Sequence, residues 1–362
     1  MPKNKPTTTS SPRLATVGGQ AVLEGVMMKG RQWFAVASRL ENGSIQVHKE
    51  QWTSVRKKHK ILDIPVVRGA VNFVEMMILS YKTLSISANA LGIDDAEPET
   101  KFEKWLDRHF GDKLMNAVMT VASVLGVVLA MFLFMWLPSF LTKLLDGALG
   151  GALGGYRALC EGVIKIRICI GYMLAVSKMP DIHRTFMYHG AEHKTIFCYE
   201  AGLPLTVENV EKQKRFHPRC GTSFIFVMLI LSILIFSLPF VTWENTLLRV
   251  LTKLALLPFV VGIGFEFIMY AGKHTNLCTR VLSWPGLMMQ RITTQEPDAK
   301  MIECAIAALK SALPDNFPGY DVKDNPDVEP ADGIGISEEE KARREAEGIE
   351  NKAAEDGEAV IQ

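Results

Sequence analysis

Four of the eight histidines fall between residues 178 and 222, and that stretch holds the spacing richest in chemistry. His189, Glu192 and His193 form H-x-x-E-H, and His217 and Cys220 follow just before a long apolar run. Pro180 to Ala201 has helical character, with Gly202 and Pro204 as its stop. On a helix His189 and His193 project from one face one turn apart, where two imidazoles can grip one ion. Glu192, beside the second histidine in the inverted order, is placed to serve as general base towards a bound water. His217 and Cys220 could complete a tetrahedral set, and thiolate with imidazole selects zinc or another divalent transition metal. Four ligands would make a closed structural site, whereas three would leave an open position for catalysis. His183 is off the shared face and stays outside the set. Two other accounts of the loop stand beside this one. Arg184, Lys194, Arg215 and Arg219 could hold an anionic head group, or the histidines could form a hydrogen-bonded structural cluster.

The elements that must position these groups are apolar. Residues 115–141 carry no charge, and a span needs about 20 apolar residues. Residues 223–243 and 247–270 form two further spans, the second with Arg249, Lys253 and Glu266. Residues 159–177 include Glu161, Lys165 and Arg167, costly in hydrocarbon unless they face a partner or a wet cavity. Glu161 and Lys165, at i,i+4, can pair. Counting this as a fourth span sorts the basic residues cleanly: few lie outside, and many lie before 114, within 178–222 and after 272. Both chain ends are then cytoplasmic. No cysteine falls in an outer loop, and the pattern is not that of a disulfide framework.

Charge is uneven. Residues 321–362 carry 14 acidic against 5 basic residues, a net of −9, so the chain's +1 leaves the rest near +10. A basic body beside an anionic cytoplasmic leaflet accounts for this. Without aromatic-basic interleaving or a binding motif, nucleic acid is set aside as a partner.

The expected organisation is a disordered lead (1–12), a β-containing cytoplasmic unit (13–60), amphipathic or interfacial helices (61–113) and a four-span membrane domain (114–272) enclosing the metal-type loop. C-terminal cytoplasmic helices (273–320) and an acidic disordered tail (321–362) complete it. Residues 32–40 and 44–52 alternate as strands around Glu41-Asn42-Gly43, strong hairpin chemistry. Upstream, Gly18-Gly19-Gln20 and Glu24-Gly25 read as turns around another strand, or as glycines admitting a ligand while Gln20 or Glu24 points into a site. In 65–91, Arg68, Asn72, Glu75, Lys82 and Asn89 share one helical face, to be set in water at the interface or buried against the metal loop. The fold class is thus an α-helical polytopic membrane protein of about four spans. A small α+β cytoplasmic domain is built from its N-terminal, central-loop and C-terminal segments.

Gly18 through Met28, Arg68-Gly69, Tyr188 through Lys194, His217 through Ser223 and Ile292 through Pro297 together resemble the YqhQ-like bacterial membrane proteins. The likeness covers roughly residues 13–313 and leaves the acidic tail as an addition. It implies a bacterial inner-membrane location and a metal-dependent enzyme of unknown function, and it draws Gln20 and Glu24 towards the site as substrate-orienting groups. Three functions follow for comparison. One is a metal-dependent hydrolase acting on a lipid-linked or membrane-protein substrate, the second a biogenesis scaffold with a structural metal, and the third a small transporter using the charged span.

Overall fold

Val26 and Met28 alternate with Met27 along one strand, and Ala35 and Ala37 with Phe34 and Val36 along the next, and all seven are buried. A sheet apolar on both faces must be covered twice. The computed structural model describes residues 16–57, 59–92, 121, 124–218, 220–236, 238, 246–271 and 276–321. The expected lead at 1–12, the stretch 93–120, Arg219, Trp243 and the tail beyond 321 lie outside them.

Four antiparallel strands, β1 (Gly18–Val22), β2 (Gly25–Lys29), β3 (Trp33–Arg39) and β4 (Ile45–Gln51), pair in sequence order. The β3–β4 loop is the expected one: Gly43 adopts φ 86°, and Asn42 Oδ1 accepts from the Ser44 amide at 2.9 Å and from its hydroxyl at 2.6 Å. Glu24 takes the tip of the β1–β2 hairpin in a left-handed conformation, φ 47°.

The helices among the described residues are α1 (Val67–Ala90), α2 (Val124–Ala148), α3 (Arg157–Val176), α4 (Pro180–Glu200), the short α5 (Val207–Glu211), α6 (Gly221–Phe236), α7 (Thr246–Ala271), α8 (Leu277–Thr293) and α9 (Ala299–Ala312). On one sheet face Val26, Met28, Ala35, Ala37 and Ile45 share a core with α4 and α9. N-terminal, central and C-terminal segments thus build one unit, as expected. On the other face Val22, Met27, Phe34 and Val36 close over Leu79 of α1.

The apolar helices form a row, with α2 on α3, α3 on α6, α6 on α7 and α7 on α1. Val124–Ala148 and Leu251–Ala271 are long and apolar enough to cross a bilayer, and α6 is apolar over the shorter Phe224–Phe236. Of the charged groups expected in the spans 159–177 and 247–270, Glu161 of α3 stands 4.0 Å from Lys253 of α7.

Three residues of the polar stripe of α1 pair with other parts of the chain rather than with the metal loop, and of the stripe only Glu75 is buried while Asn89 is exposed. Arg68 donates to both oxygens of Glu266 on α7, Glu75 accepts from Ser54 and the Val55 amide, and Lys82 pairs with Glu50. Its opposite face leaves Val74, Met77, Ile78 and Tyr81 exposed. This reverses the pattern of a helix on a water-soluble domain.

Gly69 permits the α1–α7 crossing, since a Cβ there would lie 2.8 Å from the Gly262 carbonyl oxygen and 2.9 Å from its Cα. Gly69→Ala is expected to cost about 1–3 kcal/mol through overpacking. Gly171→Ala on α3, with open space around it, should be neutral or stabilising by up to about 1 kcal/mol. Thermal unfolding in detergent reads both, and equal melting temperatures would refute the close crossing.

Candidate metal centre

Helix α4 delivers its chemistry where it is most enclosed: Tyr188 and every residue from Gly190 to Glu200 except Phe197 are buried. Gly202, at φ 74°, follows this helix as expected. His189 and His193 face the same way with ring centroids 4.4 Å apart. Cys220, the residue before α6, brings its sulfur to 3.2 Å from His189 Nε2. One ligand atom from each of His189, His193 and Cys220 lies within 4.8 Å of the others, a group able to hold a metal ion.

Both imidazoles are held through their far nitrogens. His189 Nδ1 meets the Thr293 carbonyl at 2.8 Å, and His193 Nδ1 meets the Arg215 carbonyl. A carbonyl oxygen only accepts, so each Nδ1 carries the proton and each Nε2 keeps its lone pair for the common point. Burial lowers the His193 pKa, which favours the neutral, ligating form. Tetrahedral zinc, at about 2.0–2.3 Å from its ligands, sets them roughly 3.5 Å apart. A contraction of about one ångström would bring this group onto an ion.

Glu192 lies beside the group. It is fully enclosed, burial pushes its carboxyl up to about 8, and His189 pulls the other way. Its Oε2 has no hydrogen-bond partner among the described residues and stands 3.9 Å from His189 Nε2. A buried, unsatisfied carboxylate oxygen is costly unless a cation or a water at the site answers it.

His217 stands at the edge of the group, its ring centroid 5.4 Å from that of His193. Its ring also tilts against Phe197, centroids 4.7 Å apart, and its Nε2 faces Glu200 at 3.9 Å. Gln290 fixes its backbone, accepting from the His217 amide and donating to its carbonyl, both at 2.7 Å. Of the four candidates read from the sequence, His189, His193 and Cys220 form the group of converging ligand atoms, and His217 packs beside it. Gln20 and Glu24 are engaged elsewhere. Gln20 donates to Thr83 at 2.7 Å and accepts from Ser80 at 2.5 Å, so its amide serves the sheet–α1 seam. Glu24 pairs with Arg184 and accepts from Tyr188 at 3.3 Å. The glycine of that segment with a place at the site is Gly19, where a Cβ would lie 2.9 Å from Glu192 Cγ.

The loop's basic residues are also committed. Arg184 binds Glu24, and Lys194 and Arg215 both meet Glu296. Among the described residues this removes the cationic cluster an anionic head group would need. Several supporting groups lie beyond sequence inspection. Thr293 and Arg215 act through carbonyls, and Gly190 acts through the side chain it lacks, since a Cβ there would overlap the Gln295 carbonyl oxygen. Gln290, an amide directly after the apolar run Leu287-Met288-Met289 of α8, is the visible signal.

Gln290→Leu would strip the buried His217 amide and carbonyl of their partners, at about 2–4 kcal/mol. The expected readout is lost hydrogen-exchange protection across 215–220 with helix content retained. Unchanged protection would refute the clamp.

The family model described as "Protein of unknown function (DUF1385)" matches residues 64–315. The uncharacterized protein YqhQ of Bacillus subtilis (strain 168) is 35% identical over 297 residues, covering 82% of this chain and 92% of that relative. No solved structure matches. With the H-x-x-E-H helix, the His217–Cys220 segment and the 292–297 crossing all inside the matched range, the chain belongs to the DUF1385 family, to which its resemblance to YqhQ-like proteins pointed.

Proposed function

We propose that this is a multi-pass protein of the bacterial cytoplasmic membrane, with four crossings and both ends inside, working as a zinc-dependent hydrolase on a membrane-associated substrate, lipid-linked or protein. The observation that carries the reading is the unsatisfied Oε2 of buried Glu192 beside three convergent ligand atoms. A set of two histidines and one cysteine leaves one position of a tetrahedral ion for water or substrate. An ion there would supply Lewis-acid polarisation and a water of lowered pKa.

The chain's own residues then have distinct tasks. His189 and His193 hold their tautomers through Thr293 and Arg215. Cys220 contributes the thiolate that favours zinc over magnesium or calcium. Glu192 would take a proton from a water held beside it and could return that proton to a leaving group. Gly19 gives the carboxylate room against β1. Support for a bilayer setting comes from the two long apolar helices and from the exposed apolar face of α1.

Metal analysis of the detergent-purified protein is expected to find about one transition-metal ion per chain, lost in His189→Ala and Cys220→Ser. Metal-free wild-type protein would end the proposal. Cobalt-substituted protein should show a thiolate charge-transfer band that is absent from Cys220→Ser. Azide should shift its visible spectrum, because an open position accepts an outside ligand. A spectrum indifferent to azide favours a structural staple, the scaffold reading.

Glu192→Gln is expected to keep the metal while its host accumulates the same membrane lipid or protein species as a strain lacking the protein. A Glu192→Gln strain indistinguishable from wild type would remove the catalytic role. For topology, alkaline phosphatase inserted between α2 and α3 should be active and the same insert after Lys212 inactive. The reverse result would place the metal loop outside the cell.

A further inference from the structure

We propose that α8 is an in-plane helix seated in the anionic inner leaflet, and that it ties the metal centre to the lipid surface from which substrate is drawn. This deepens the hydrolase reading and rests on α7 crossing the bilayer.

The argument begins with where α8 starts. Helix α7, without charge from Phe267 to its end at Ala271, is joined to Leu277 by five residues. Asn276 caps α8, accepting from the Thr279 amide at 2.8 Å, and its side-chain amide donates to the Tyr270 hydroxyl of α7 at 3.1 Å. The amino end of α8 is thereby held at the last turn of α7, at the level where a crossing helix leaves hydrocarbon.

The faces of α8 are inverted. Leu277, Val281 and Trp284, at i, i+4 and i+7, form one ridge and are 78%, 61% and 59% exposed. Thr279, Ser283, Gln290 and Thr293 lie on the opposite side and are buried. A helix beside water places those residue types the other way round. An apolar ridge ending in tryptophan suits the boundary between head groups and acyl chains.

Charge names the occupant. From Phe267 to Gln295 the sequence has no aspartate or glutamate, yet holds Lys273, Arg280 and Arg291. Such a segment is attracted to acidic lipid rather than to a basic or neutral protein partner.

The far end of the same helix builds the site. Pro285 divides α8, and beyond it Gln290 clamps His217 while Thr293 orients His189. Seventeen residues at about 1.5 Å each place the lipid-facing ridge and the metal group within about 25 Å along one helix.

The test uses the full-length protein in nanodiscs of anionic lipid with brominated chains. Trp284 is one of six tryptophans, so its emission is taken as wild type minus Trp284→Phe, and that of Trp136 on α2 as wild type minus Trp136→Phe. The expected result is at least about twofold quenching of the Trp284 component by bromines near the head groups, with little quenching by aqueous iodide. Trp136 should respond to bromines deep in the chains. If Trp136 is quenched by lipid while Trp284 responds to iodide, or to neither quencher, the in-plane seat is overturned and the crossing stands. If iodide quenches both, the membrane reading fails and takes this proposal with it.

Discussion

Two backbone carbonyls, those of Thr293 and Arg215, accept the Nδ1 protons of His189 and His193, and the rest of the site depends on their being there. An imidazole pair at i,i+4 is free to rotate, to exchange tautomers and to bond with water. Once each Nδ1 is committed to an acceptor, each ring is oriented and each Nε2 is directed at Cys220. The cost is structural. A segment about a hundred residues away must cross α4 closely enough for its main chain to serve as acceptor. Gly190 makes that approach possible, the Gln295 amide to Phe186 carbonyl bond at 2.8 Å registers it, and Asp298 capping α9 at 2.8 Å ends it.

The same constraint explains why the small sheet is covered on both sides. Helix α9 holds one face, α4 is pressed between α9 and β1, and α1 closes the other face. Glu192 is thereby shut into a space trimmed by Gly19, where no described protein group satisfies its second oxygen. Burial that would be wasteful in a purely structural helix is what raises the carboxyl and makes the spot hungry for positive charge. Lys194 and Arg215, the nearby cations in sequence, are drawn off by Glu296 and so leave the polar interior of the site to its histidines and thiol.

Much of this was legible in the residue order. The i,i+4 histidines, the Asn42-Gly43 hairpin and the apolar runs act through local periodicity and turn chemistry, which a sequence displays directly. The three-segment α+β unit also followed, because each piece has an apolar face too small to stand alone. The polar stripe of α1 misled about its destination. Its residues do share a face, but that face meets Glu266, Ser54 and Glu50 on three separate elements, and pairing over such sequence distances leaves no local mark. Gln20 and Glu24 misled differently. Their types suit catalysis, but alternation along β1 turns Gln20 towards α1 while Gly19 faces Glu192, and the hairpin tip carries Glu24 to Arg184.

His217 shows how backbone contacts decide a ligand set. By type and spacing it belongs with Cys220, and a peptide of that sequence would offer both to one ion. In the folded chain Gln290 takes the His217 amide and carbonyl together, fixing the direction in which the ring leaves the main chain, towards Phe197 and Glu200. Cys220, three residues on, follows the loop into α6 and keeps its sulfur on His189. One buried amide from α8 thus holds His217 beside the converging trio of His189, His193 and Cys220. Whether such a centre can do chemistry turns on the number of ligands that close on the ion more than on the identity of any single ligand.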